Sequence, residues 1–245
     1  MQRSLLKIVN VLLTRALSQV KPLKSLVRKN GYQPILFPTL TIEPLTSNPQ
    51  KTQYDALIFI SANAVEYAKQ VLKNITYNKI FAVGAATAKK LEQQNIKVDA
   101  FPTQKSSSEA LLAMDEIRVL SNQSILIFRG KGGKETLREG LEQNNSVEYI
   151  EVYQRTPCDI TPLHRNALQI FLQNEQGIIT TTSVENLNAL MLLTKQINIG
   201  LITQYPLVVL SERIKIVAQS LGFTHIEVAT ETRDSGLLNA IQTIL

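Results

Sequence analysis

The chain has 245 residues, 44% hydrophobic and 19% charged, which is globular composition and too apolar for a disordered chain. That length holds one large domain or two small ones, each with its own core. A formal net charge of +6 favours an anionic partner, yet aromatics are only 6% with no Trp, and there is no long Lys/Arg run and no zinc-finger spacing, so a nucleic-acid module is disfavoured.

In chain order, apolar runs predict strands over 8–13, 34–37, 57–60, 80–83, 124–128, 147–152, 177–181 and 206–210. Amphipathic stretches of helical period lie between most of them, as over 64–72 and 87–94. This alternation predicts α/β architecture with mainly parallel sheets. The longest apolar runs, such as 56–60, are too short to cross a bilayer. Arg3 and Lys7 flank too weak an apolar stretch for a secretory leader, so a cytoplasmic protein is expected. Cys158 is the single cysteine, read as a small loop residue. His164 and His225 lie far apart with no CxxC or HExxH, so neither a metal site nor a Cys/His nucleophile pair is expected.

The chain also repeats itself. IVNVLLTR followed by LKSLVRKNG and QPILFP resembles SILIFRGKGG followed by LREGLEQN and VEYIEVYQR, which pairs Arg15 with Arg129 at an offset of 114. ALIFISANAVEYA resembles GIITTTSVENLNAL and aligns Ser61 with Ser183 at an offset of 122. Two further blocks align Gly84 with Ser211 and Ser108 with Ser235, both at 127. Two related domains follow. A simple cut near residue 122 is one assortment. A swapped one, with the chain crossing twice near 39–43 and 149–155, is the other, and the repeat alone does not choose.

Ligands of α/β sheets bind beyond the carboxyl ends of the strands, where helix N-termini point. Four strand-to-helix turns carry small polar residues there: Ser61 to Asn63 with Ala64 after them, Gly84 to Thr87, Thr182-Ser183, and Ser211 to Arg213. Each offers hydroxyls and backbone N–H groups to carboxylates, or simply caps a helix. The loop from Arg129 through Lys131 to Lys134 is glycine-rich and basic but fits neither GxxxxGK[ST] nor GxGxxG, which leaves a turn with cations rather than a nucleotide site. Tyr153 ends a predicted strand beside Arg155; its phenol is a candidate hydrogen-bond donor or general acid, or a half-buried strand residue. Arg15 reads as a ligand clamp or an interdomain salt bridge.

The ordered set LLTR (12–15), ILFP (35–38), ISANAV (60–65), AVGAATA (82–88), RGKGGKE (129–135), VYQR (152–155), TTS (181–183) and LSERI (210–214) resembles the uroporphyrinogen-III synthases, particularly bacterial ones, over nearly the whole chain from Ile8. Ala16 stands where that family usually has Pro. The resemblance implies the swapped arrangement: one domain of 1–38 with 157–245, a second of 43–150, and linker strands 39–42 and 151–156, with the active-site cleft between two similar parallel-sheet α/β domains. It also implies the reaction, in which hydroxymethylbilane loses its hydroxyl and closes with inversion of ring D to uroporphyrinogen III. Tyr153 then matches the family tyrosine proposed as proton donor, a role that water or a substrate carboxyl could also fill, and Arg15, Ser61, Asn63, Ala64, Gly84, Thr87, Arg129, Lys131, Arg155, Thr182, Ser183, Ser211 and Arg213 meet the substrate, with no cofactor. A monomer is expected, with the bilane handed over by hydroxymethylbilane synthase, and with neither nucleic acid nor membrane as partner. A non-enzymatic two-lobed anion-binding protein would share these features and is the alternative.

Overall fold

The computed structural model describes residues 8–173, 176–197 and 202–245. The chain divides into two compact units: residues up to Ile42 together with those from Thr156 on (unit 1), and Glu43–Arg155 (unit 2). Unit 1 opens with β1 (Asn10–Leu13), α1 (Lys21–Lys29), β2 (Gln33–Leu36) and the start of β3 (Leu40–Pro44). Unit 2 then holds β4 (Gln53–Phe59), α2 (Ala62–Tyr67), α3 (Lys69–Leu72), β5 (Thr76–Ala82), α4 (Ala85–Glu92), α5 (Ser108–Leu112), α6 (Asp115–Arg118), β6 (Ser124–Gly130), α7 (Thr136–Leu141) and most of β7 (Ser146–Pro157). Unit 1 resumes with α8 (Pro162–Leu172), β8 (Gly177–Thr181), α9 (Val184–Gln196), a 3-10 turn (Ile202–Gln204), β9 (Leu207–Val209), α10 (Glu212–Ser220), β10 (Ile226–Val228) and α11 (Asp234–Thr243). No helix of the described residues is long and apolar enough to cross a membrane.

The unit 1 sheet runs β10-β9-β8-β1-β2, parallel throughout. The interior strand β1 shows why the sequence reads as an unbroken apolar run. Val11 and Leu13 pack with Leu23, Val27, Leu237 and Ile241, from α1 and α11. Leu12 points the other way, into Phe171, Leu187 and Leu190 of α8 and α9. A strand covered on both faces has no polar side to show. The four-residue spacing of Leu23 and Val27 gives α1 its buried face, a proline sits in its first turn, and Arg28 and Lys29 complement its C-terminal dipole.

The unit 2 sheet runs β3-β7-β6-β4-β5, with β4 to β7 parallel. Ala56, Ile58, Ile125 and Ile127 meet Leu111, Ile117, Leu137 and Leu141 on one face. On the other, the paired Phe59 and Phe128 rings stack at 4.5 Å. β3 and β7 are the segments in which the chain passes between units. Cys158 N–H donates to Thr39 O at 3.0 Å, the Thr41 and Thr156 hydroxyls lie 2.7 Å apart, and Leu45 N–H donates to Val152 O at 2.9 Å. Partner numbers fall as β3 advances, so the two strands run antiparallel.

The run β9-β8-β1-β2 of unit 1 matches β5-β4-β6-β7 of unit 2, with a helix after each of the first three strands of both runs. The repeat in the sequence is thus a repeat of fold. Several strands differ from the sequence expectation: β4 and β5 begin at Gln53 and Thr76, ahead of the expected 57 and 80, and β3 is expected only as a crossing segment. β7 does not end at Val152 but continues to Pro157, because its second half pairs with β3 instead of entering a core. β10 has only three half-buried residues, too few to register as an apolar run.

Candidate functional site

At the carboxyl ends of the matched strands the four turns adopt one geometry. Ser61, Ser183 and Ser211 stand at the N-caps of α2, α9 and α10 with φ near −160° and ψ near 157°, and Gly84 stands extended before α4. Ser61 Oγ accepts from Ala64 N–H at 3.0 Å, and Ser183 Oγ accepts from Asn186 N–H at 3.0 Å. The N-cap role is therefore real at both places, and each hydroxyl keeps its proton for another acceptor. Ala64 is fully buried with its N–H taken by the cap, so it supports the turn from behind. Asn63 and Ser61 are half-buried on the same turn, and Thr87 is buried in the first turn of α4. A methyl at Gly84 would overlap the Ser106 side chain, so the 105–107 loop closes directly over that helix start.

In unit 2 the sheet order brings Tyr153 to Ser61 across 92 residues of sequence. The Tyr153 Oη lies 3.1 Å from Ser61 Oγ, and Arg155 Nη2 donates to Oη at 3.3 Å. The phenol ring is buried, stacked on Tyr67 at 5.9 Å, and the Arg155 guanidinium carbon lies 5.5 Å from its centre. β6 and β7 change register between Arg129 and Gly130, so that Gly130 pairs with Tyr153 and Lys131 N–H donates to Tyr153 O at 2.8 Å. Tyr153 is thus not a strand end but the last residue of β7 paired with β6.

The basic loop after β6 is organised from within. The Arg129 side chain is almost wholly buried, with Nη1 2.9 Å from Glu135 Oε1, Nη2 donating to Gly132 O, Nε donating to Gly130 O at 3.3 Å, and its guanidinium over the Tyr149 ring. Gly132 and Gly133 take positive φ, which lets the loop turn back onto that guanidinium. Arg129 therefore shapes the loop, whereas Lys131 is exposed and makes no ion pair among the described residues. Burial pushes the Tyr149 phenol above its ordinary pKa.

Unit 1 carries a different polar cluster at the equivalent place. Asn186, in the first turn of α9, is buried; its Nδ2 donates to Thr39 Oγ1 at 2.7 Å and to Thr14 O at 3.3 Å. Thr182 Oγ1 donates to Asn186 Oδ1 at 2.9 Å, so the Thr182 proton is turned inward. Thr161 N–H donates to His164 Nδ1 at 3.1 Å; that nitrogen is an acceptor, which puts the proton on Nε2, 2.8 Å from Pro38 O. Arg15 pairs with Asp234 at 2.8 Å. Both belong to unit 1, so this ion pair is not the interdomain bridge that was one of the two readings of Arg15: α11 returns beside α1 and presents Asp234 in its first turn. Arg213 is exposed and, with Leu40, Pro157, Val184, Asn188 and Leu192, lines a groove of about 520 Å³ in unit 1. Cys158 is half-buried against the unit 1 core, and burial raises its thiol pKa.

Sequence reasoning missed Tyr67, the closeness of Gly130 to Tyr153, and the Thr39–Asn186 pair. A signal for the last was present: the offset that aligns Arg15 with Arg129 also aligns Thr39 with Tyr153. Among the described residues no three His, Cys, Asp or Glu side chains are grouped to hold a metal ion.

Known proteins resemble this chain along its length. The family model described as uroporphyrinogen-III synthase HemD matches residues 21–239. The uroporphyrinogen-III synthase of Salmonella typhimurium is 31% identical over 200 residues, 78% of this chain and 80% of the relative. That of Escherichia coli is 28% identical over 248 residues, 96% and 100% of the two chains. The crystal structure of uroporphyrinogen-III synthetase from Helicobacter pylori superposes with a TM-score of 0.70 at 18% identity, covering 97% of this chain and 100% of the other, which establishes the shared fold. By that family match over residues 21–239 and those relatives, in keeping with the ordered motifs and the duplicated sheets, the chain belongs to the uroporphyrinogen-III synthase family.

Proposed function

We propose that this enzyme, a lyase, closes hydroxymethylbilane into uroporphyrinogen III with Tyr153 as the proton donor. The observation that carries the role is the Tyr153 hydroxyl, set 3.1 Å from Ser61 Oγ and 3.3 Å from Arg155 Nη2. An arginine N–H occupies one lone pair of the phenol oxygen, so the phenol proton points elsewhere. When the substrate's hydroxymethyl oxygen approaches, Tyr153 donates to it and the C–O bond breaks, releasing water and leaving a cationic azafulvene. Arg155 stands beside the phenolate that remains. The substituted end carbon of ring D attacks, the spiro intermediate opens at its bond to the bridge from ring C and recloses through the free α-carbon of ring D with the ring inverted, and the proton lost from that free carbon returns to Tyr153. Atoms balance as bilane to macrocycle plus water.

The bilane also closes spontaneously without inversion, so the enzyme's main task is to fold the chain for attack at the substituted carbon, which is catalysis by orientation. On this reading carboxylates are received by backbone N–H groups and hydroxyls at the helix starts of Thr87, Ser183 and Ser211, with Lys131 and Arg213 as the cations of their respective units. Thr182 supports this turn rather than donating to the ligand. The enzyme works as a cytoplasmic monomer and takes the bilane from hydroxymethylbilane synthase. Incubation with hydroxymethylbilane followed by separation of the uroporphyrin isomers tests the reading. Mostly type III is expected; type I alone, as in an enzyme-free blank, rejects it in favour of a binding protein. Tyr153→Phe should lower kcat without abolishing type III, and complete loss in a folded variant would contradict the dominance of orientation.

A further inference from the structure

We propose that Gly130 is a positioning residue that seats the Tyr153 hydroxyl, an inference that rests on the reading of Tyr153 as proton donor. The register change at Arg129/Gly130 sets Gly130 opposite Tyr153. A Cβ at Gly130 would lie 2.5 Å from Tyr153 Cζ, 2.7 Å from Cε2 and 2.9 Å from Oη. These are the tip of the ring, the part that carries the chemistry. Gly130 is not among the glycines with positive φ, so its backbone does not require glycine. What it requires is the absence of a side chain.

With a methyl there, ordinary contact of 3.4 Å or more obliges the ring tip to move by about 0.9 Å. The backbone below cannot yield easily, since Lys131 N–H is bonded to Tyr153 O. The ring therefore swings, and the 3.1 Å bond to Ser61 and the 3.3 Å bond from Arg155 are lost or misaligned. A misplacement of about 1 Å at a reacting group is enough to cost roughly 100-fold in rate. Unit 1 supplies a natural comparison. The repeat-equivalent residues there are Ala16 and Thr39, so a Cβ is present where the strand end carries a small side chain. The glycine accompanies the tyrosine.

The test uses the full-length enzyme and three variants. Gly130→Ala should lower kcat by about the factor that Tyr153→Phe does, on the order of 10- to 100-fold, with KM within about twofold and a larger share of type I product. The double variant G130A/Y153F should be no slower than Y153F within about twofold, because both changes remove one contribution. Multiplying losses, or a G130A enzyme with wild-type kcat beside a slow Y153F, overturns the proposal. A wild-type kcat in Y153F instead refutes the donor role. The seat is then decided by the Tyr153 Cζ resonance in enzyme labelled with [ζ-13C]tyrosine, identified by its absence in Y153F: it should shift in G130A, and an unmoved signal sinks the seating. If G130A folds poorly, adding Tyr153→Ala, which removes the ring, should restore folding; failure to do so also overturns it.

Discussion

Replacing Asn186 by alanine should destabilise unit 1 by about 2–3 kcal/mol, and the figure follows from what each partner retains. The side chain makes three hydrogen bonds, to Thr39 Oγ1, Thr14 O and Thr182 Oγ1. Thr14 O keeps the Thr39 N–H at 3.0 Å, so it is not orphaned. The Thr39 hydroxyl still donates to Thr14 O or Asn186 O, and half-buried Thr182 can turn to water. The Ser183 cap survives, since it uses the Asn186 backbone N–H. No buried group is left wholly unpaired, so the loss is about 1 kcal/mol for each of two or three bonds, not a desolvation penalty. Urea unfolding of the whole enzyme, with unit 1 followed as its own transition if two are resolved, gives the difference. Combining N186A with Thr39→Val should show a coupling of about 1 kcal/mol for their shared 2.7 Å bond. A loss under about 0.5 kcal/mol, or strict additivity with T39V, would refute this account of the cluster.

Three other outcomes are expected. Thr182→Val should leave KM within about twofold because its hydroxyl already donates inward, whereas Ser183→Ala should raise KM severalfold and cost about 1 kcal/mol as a lost cap; steady-state kinetics with hydroxymethylbilane decide, and a larger effect of T182V contradicts the assignment. Arg129→Met should free the 131–135 loop and destabilise unit 2 by about 2–3 kcal/mol, read as faster proteolysis there and a lower urea midpoint, because Gly132 O and Glu135 lose their buried partner. Tyr54, whose hydroxyl donates to Glu148, has its pKa pushed up to about 12 by burial and by that carboxylate. A folded pKa raised above the unfolded value of 10 gives stability that is full below pH 10 and is lost as pH rises toward 12. The wild-type urea midpoint should therefore fall more steeply between pH 10 and 12 than that of Tyr54→Phe, and parallel curves would exclude the linkage.

The fold was legible where burial leaves a simple trace. β8 was read at its observed bounds because all five residues are buried, and apolar runs bounded by polar turns are what two-faced parallel strands produce. The crossing strands were harder. Most of their residues are exposed or half-buried, so they leave little apolar pattern, and the crossing part of each is defined by pairing with the other. At the candidate site, the serine turns could be found because the repeat placed them in register. The burial of Arg129 could not, since a guanidinium satisfied by loop carbonyls leaves no mark that distinguishes it from a solvated one. Arg15 was ambiguous for a related reason: its partner lies 219 residues on, and only the return of α11 brings Asp234 to it.

The interrupted composition of unit 1 constrains how the protein can be made. β1 pairs residue for residue with β8, Asn10 opposite Gly177, so its central neighbour leaves the ribosome 167 residues later. At 5–20 residues per second that is a wait of about 10–30 s. β4 to β7, by contrast, are contiguous, so the inserted unit can condense while the amino-terminal strands still lack their sheet. Those strands wait without their sheet, so slow translation near residue 180 should matter more to yield than slow translation within the inserted unit.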